Sequence, residues 1–265
     1  MAVSPPDFAQ ILAPGAVHPV FEDGTTLRVR ELPGVPLSLP TGRLIAMEPF
    51  GAGMGDADEL AFLDTVAPGT YPVVLSLVDV HEPDGSFTGD SRVAAARLVV
   101  SEEPVARWEL ALSSGQDLAD LEDDEFYGYP VDGGTGSFMD VETFHSIGDQ
   151  DFGDRVLSAM FPVTEEESTV EPPEPADDPV TLPVGEDEHA VVAFSTGWGD
   201  GAYATWTGRT ADGSIACFLT DFSTMDEEYE DEAEHRDDEH HDGEHEDDQV
   251  VADVTQERAT ASASA

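Results

Sequence analysis

Two glycine-rich boxes hold the residue types in this chain best suited to chemistry. The first, Asp132-Gly-Gly-Thr-Gly136, carries Thr135 and runs on to Phe138-Met-Asp140. The second is Ser195-Thr-Gly-Trp-Gly-Asp-Gly-Ala-Tyr203, which leads through Trp206 to Thr220-Asp-Phe222. Packing alone rarely selects alternating glycines, an aspartate and several aromatic residues within so short a span. Gly199 and Gly201 flank Asp200, where glycine permits positive φ and lets a ligand approach the backbone. If the boxes meet, Asp132, Asp140, Asp200 and Asp221 could bind a hard cation such as Mg²⁺ or Ca²⁺, or share general acid–base work. In the plainer alternative the same aspartates end turns and accept backbone N–H bonds, which Asp does well beside glycine. Trp198, Tyr203 and Trp206 pose a matching choice. Exposed, they form an aromatic platform for a sugar, a base or a protein hot spot; buried, they anchor a hairpin against a sheet.

Other chemistries find less support. The Gly133-Gly-Thr-Gly136 run lacks the Gly-Lys-Ser/Thr ending of a phosphate loop, and Asp151-Phe-Gly153 stands without the other kinase signatures. Ser195 is not in a Gly-x-Ser-x-Gly elbow, so no serine nucleophile is marked. The one cysteine, Cys217, lies in the apolar run Ile215-Ala-Cys-Phe-Leu219, excludes an intramolecular disulfide and reads as a small core residue. His235, His240, His241 and His245 sit among carboxylates in a tract that can hold Zn²⁺ or Ni²⁺ loosely, but nothing beside them supplies the rigid surroundings of a catalytic metal. The sequence implies no cofactor.

Charge narrows the partners. The formal net charge is −48, and all ten basic residues are arginines. Residues 226–248 carry −14 of this, so −34 belongs to the rest of the chain. Such a surface repels phosphate backbones, which makes nucleic acid and anionic membranes poor partners. The first reading of the acidity is a solubility adaptation to a salt-rich cytoplasm or a high-GC genome. The second is a decoy surface that meets a basic protein. No apolar run approaches the roughly 20 residues of a membrane span, and the N-terminus lacks the pattern of a signal peptide, so the expected location is cytoplasmic.

The elements that must position the boxes read mostly as strands. Thr25–Glu31, Arg43–Met47, Tyr71–Val80 and Arg92–Val100 are β-prone, the last two as antiparallel partners around Pro83-Asp-Gly85. In Val105–Leu112, Ala106, Trp108, Leu110 and Leu112 share one parity while Arg107 and Glu109 take the other, the mark of a half-buried strand. Asp56–Thr65 reads as a short helix. Asp151–Phe161 is the best helix candidate, with Phe152, Val156 and Met160 every four residues and Pro162 at its end. Ala190–Ser195 is a buried strand, and Ala202–Arg209, Ala211-Asp-Gly213 and Ser214–Phe222 form a hairpin. Residues 162–183, rich in proline and acids, read as an exposed loop. The expected fold is α+β and β-rich: mostly antiparallel sheet with one or two short helices in a single domain over 1–224, and a disordered acidic tail over 225–265.

Several of these segments carry a resemblance. Gly134-Thr-Gly-Ser-Phe-Met-Asp140, the Ser195–Tyr203 turn and Leu219-Thr-Asp-Phe222 resemble domain-of-unknown-function family 4241, an uncharacterised bacterial family. Gly69-Thr-Tyr-Pro-Val73, Arg92-Val-Ala-Ala-Ala-Arg97 and Trp108-Glu-Leu110 are similar to its central segment. The resemblance covers roughly Pro40 to Phe222; the proline-rich insertion and the Asp/Glu/His tail depart from it. It implies no established activity, cofactor or catalytic residue. Two functions therefore stand. The leading one is a binding protein whose Gly/Trp/Asp turn engages another protein, for instance an immunity-type antagonist of a basic toxin. The alternative is a metal-assisted, hydrolase-like enzyme using Asp132, Asp140 and Asp200.

Overall fold

A computed structural model describes residues 3–19, 23–147, 151–162, 178–185 and 189–225, together with the strand Arg258–Thr260. The acidic tract of the expected tail, and residues 163–177 of the expected loop, lie outside the described residues.

Two antiparallel sheets face each other. The short strand β1 (Val17–His18) starts the larger sheet beside β2 (Thr26–Glu31), and β3 (Val35–Leu39) follows along the same edge of β5 (Gly69–His81). β4 (Leu44–Met47) belongs to the smaller sheet. β5 and β6 (Phe87–Val99) are 13 residues each and pair along a hairpin closed at Gly85, whose φ is +85°. β7 (Arg107–Leu110) and β8 (Glu125–Val131) pair with successive halves of β12 (Gly201–Arg209). β12 forms the expected hairpin with β13 (Ile215–Asp221), which lies against β6. β14 (Arg258–Thr260) adds three residues to the edge of β8. The smaller sheet runs β10 (Val180–Val184), β11 (His189–Ser195), β9 (Thr135–Asp140), β4.

Burial explains the layering. Val73, Leu75 and Leu77 of β5, Phe218 of β13 and Tyr203 of β12 meet Leu44, Phe138, Val192 and Phe194 of the smaller sheet in one core. The other face of the smaller sheet, with Ile45, Met139 and Val191, is covered by α3 (Val141–Ser146) and α4 (Phe152–Met160). Phe8 and Leu12, from α1 (Phe8–Ile11) and the residue after it, cover the outer face of the larger sheet. A single turn of helix, α2 (Ala57–Leu60), completes the four short α-helices among the described residues. None of these helices is long and apolar enough to cross a membrane.

Three strands correct the sequence expectation. The first glycine box is a turn only over Asp132–Gly134; from Thr135 onward it is β9, buried on both faces. The 162–183 segment is not loop throughout, because Val180–Val184 forms the edge strand β10, with Leu182 and Val184 buried. Pro183 is tolerated there because an edge strand has no outer partner to need its missing N–H; its carbonyl accepts a bond from Arg155. β3 likewise places Pro36 opposite Pro72 at an edge.

Cys217 sits on β13 with its sulfur 2.8 Å from where a Cβ on Gly208 would lie. Burial pushes its thiol up to about 11. The native protein should therefore resist thiol reagents at pH 8 and label fully once unfolded. Rapid labelling of the folded chain would show that this region of the core opens.

Candidate functional site

Topology brings the two boxes together. β8 lies beside β12, with Val131 opposite Gly201, and β9 lies beside β11, with Thr135 opposite Ser195. The connections β8 to β9 and β11 to β12 each cross from one sheet to the other, so they must run side by side at one end of the sandwich. They also bond. Gly134 N–H donates to Asp200 Oδ1 at 3.2 Å, and Thr196 N–H donates to the Gly134 carbonyl at 3.1 Å. The result is a single ridge that exposes Asp132 and Asp200 and half-exposes Trp198.

The ridge is supported from below. Tyr203, buried in the core, donates its hydroxyl to the Gly199 carbonyl at 2.8 Å, as does Thr196 Oγ1. Gly197 is required twice over: its φ is +54°, and a Cβ there would lie 2.7 Å from Thr224 Cγ2 and 3.1 Å from Phe222 Cβ. At the surface, the Arg92 guanidinium stands 5.2 Å from the centre of the Trp198 ring while pairing with Asp90. This cation–π contact fixes the indole at the rim of the ridge.

A residue that sequence reasoning missed holds the first turn. Glu48 follows β4, and the pairing of Met47 with Ser137 carries it opposite the turn. Its Oε1 accepts the N–H groups of Asp132 at 3.0 Å and Gly133 at 2.6 Å. Burial lifts its carboxyl above the ordinary range; the negative charges of Asp132 and Asp200 add to the lift, and the two N–H bonds partly offset it. A lone Glu-Pro after a four-residue strand has no spacing signature. Only the β4–β9 pairing would have pointed to it.

The remaining sequence candidates do not join the ridge. Asp140 lies at the far end of β9, fully buried, where it caps α3: Oδ1 accepts Glu142 N–H at 2.8 Å, and Oδ2 accepts the Thr41 hydroxyl at 2.8 Å. Phe138 is core between the sheets, and Thr135 is buried with its hydroxyl on the Gly133 carbonyl at 3.1 Å. Trp206 points to the outer face of the larger sheet, its ring centre 6.1 Å from that of Phe8. Asp221 ends β13 and accepts Ser223 N–H at 3.1 Å. Gly199 and Gly201 stay with Asp200 in the second turn and at its exit into β12.

The four aspartates do not share one pocket: Asp132 and Asp200 are exposed on the ridge, where Asp200 also holds Gly134 N–H, and Asp140 and Asp221 tie backbone away from it. Among the described residues, no three His, Cys, Asp or Glu side chains are placed to hold one metal ion. A cleft between Leu60, Phe62, Ala111 and Tyr129 encloses about 20 Å³, room for a water molecule, and no carboxylate lines it.

The comparison with known families fits this geometry. A family model described as a protein of unknown function, DUF4241, matches residues 37–220, more than half of the chain. The match runs from β3 to the end of β13 and so includes both crossing turns, Glu48 and the facing sheets. No curated protein and no solved structure matches the chain. With its paired sheets and joined turns inside the matched segment, the chain belongs to DUF4241, a family whose function is unknown.

Proposed function

We propose that this is a cytoplasmic binding protein that engages a basic protein through the ridge built from residues 132–134 and 196–200. The observation that carries this reading is the joined pair of turns. Asp132, Asp200 and Trp198 stand outward on backbone that is hydrogen-bonded across from Gly134 to both Thr196 and Asp200. An aromatic residue held at the rim of rigid loops suits a binding hot spot. The carboxylates around it, on a body that carries −34 outside residues 226–248, would steer a cationic partner and set its orientation. A single buried cysteine suits a reducing compartment. An immunity-type antagonist of a basic toxin is one protein of this kind. The hydrolase reading loses support because one of its three aspartates, Asp140, is consumed as a buried helix cap.

The test is affinity capture from a native lysate of the source organism. The full chain is compared with a Trp198→Ala, Asp200→Asn variant, whose asparagine keeps the oxygen that Gly134 needs. The expected result is a basic protein retained by the parent chain at low salt, released by high salt, and absent from the variant at unchanged melting temperature. Equal capture by both chains would remove the ridge from the interface.

A further inference from the structure

The larger sheet ends on a strand that is only partly covered. On one side β8 pairs with β12, residues 128–131 against 201–204. Its other side carries β14, which reaches only Tyr127, Phe126 and Glu125. Among the described residues, residues 128–131 have no strand on that side. Such an edge offers backbone N–H and C=O groups to any extended chain, so proteins blunt or cover it. Two observations set this cover apart from the fold. The family match ends at residue 220, so β8 lies inside the shared fold and β14 outside it. β14 is also only three residues long and is joined to β13 through residues 226–257. A short strand with so few bonds opens far more readily than the sheet it sits on.

We propose that the outer edge of β8 is a strand-addition site: β14 fills it in cis, and an extended basic segment of the partner replaces β14 when that partner docks on the ridge. Position links the two surfaces, because Val131 at the end of β8 passes directly into Asp132. Charge selects the occupant. Glu122, Asp123 and Asp124 stand exposed before β8, and Asp132 stands exposed after it with Asp200 beside it on the ridge. The cis strand itself begins with an arginine, Arg258. A second copy of the chain, at −48, would be repelled from this edge, whereas a strand flanked by basic residues is drawn to both of its ends. Main-chain bonds to β8 would supply affinity and the flanking charges specificity. The identity of the incoming strand rests on the binding function proposed above; the exchangeable edge does not.

Amide hydrogen exchange on the full chain, read by NMR, tests the edge with a defined probe, a synthetic peptide of residues 254–265. The reporters are the amides of Glu125, Phe126, Tyr127 and Gly128, referenced to Leu75 and Leu77 in β5, which report global opening. Ala259→Pro removes the N–H opposite Phe126 and lies outside the matched segment, so the domain should fold while the cis pairing fails. Protection at the β8 reporters should then fall by about tenfold or more, with Leu75 and Leu77 unchanged. Added up to the millimolar effective concentration of a tethered strand, the peptide should restore that protection. It should bind the variant about tenfold more tightly than the parent chain, where β14 competes. A peptide with proline in place of Ala259 should do neither. Unchanged protection in Ala259→Pro, or equal peptide affinity for both chains, overturns the exchangeable edge. In the lysate capture, Ala259→Pro should hold more of the basic protein than the parent; equal or weaker capture overturns the partner strand as the competitor of β14. If no chain captures a basic protein while the peptide results stand, the binding function fails and the edge site remains.

Discussion

Replacing Asp140 by alanine is expected to lower the melting temperature by about 6–12 °C, the equivalent of about 3 kcal/mol in a domain of this size. Asp140 is fully buried, and its two oxygens accept three bonds: Thr41 N–H at 3.1 Å, the Thr41 hydroxyl at 2.8 Å and Glu142 N–H at 2.8 Å. Together they tie the loop before β4 to the first turn of α3. Alanine removes both oxygens and with them all three bonds, and bonds to a charged group are worth about 1.5–3 kcal/mol where a neutral cap loses about 1. Asparagine keeps one of the two oxygens and should recover part of the loss. By contrast Asp200→Asn retains the oxygen that Gly134 uses, sits exposed, and should shift melting by no more than about 1–2 °C. Calorimetry on the three variants checks the order. Asp140→Ala melting within 2 °C of the parent would refute the capping account and restore Asp140 as a candidate for chemistry.

That contrast also marks how far the sequence could be read. Asp132, Asp140, Asp200 and Asp221 look alike in one dimension, each next to glycine or at the end of an apolar run. Their roles part only when strands pair. The long hairpin of β5 and β6 and the hairpin of β12 and β13 were legible because turn residues such as Pro83-Asp-Gly85 and Asp212-Gly213 punctuate clear β-prone runs. β9 was not, because a strand buried on both faces loses the alternation that identifies it: Phe138 faces one core and Met139 the other. α3 is six residues long and shows itself only through its cap. Trp206 was grouped with the glycine turn by its closeness in sequence. Strand parity separates them, since Tyr203 lies in the core between the sheets, with Thr205 lining the cleft beside it, while Ala204 and Trp206 pack on the outer face. Glu48 was silent because its role comes from a strand partner about 90 residues away, at Ser137.

The second large effect is set by charge. Melting temperature should rise by about 10 °C between 0.01 M and 1 M KCl, a gain of about 3–5 kcal/mol. The chain carries −48, and the described basic side chains are already largely committed: Arg209 to Asp64 and Glu109, Arg30 to Asp79, Arg97 to Glu31 and Arg43 to Asp58. These pairs are mostly near the surface and contribute little each, so salt costs the protein little by screening them. Self-repulsion is the larger sum. Two unit charges about 25 Å apart repel by only about 0.2 kcal/mol in water, but a body of this charge holds hundreds of such pairs. Unfolding lets them separate, which makes repulsion a force against the fold. The screening length falls from about 30 Å at 0.01 M to about 8 Å at 0.15 M, so most of the gain should arrive below about 0.2 M if repulsion is the cause. A gain that grows evenly up to molar salt would instead reflect strengthened apolar burial. A change under 2 °C across the range would mean that the acidic surface is not straining the fold, leaving recognition of a cationic partner as the better reason for it.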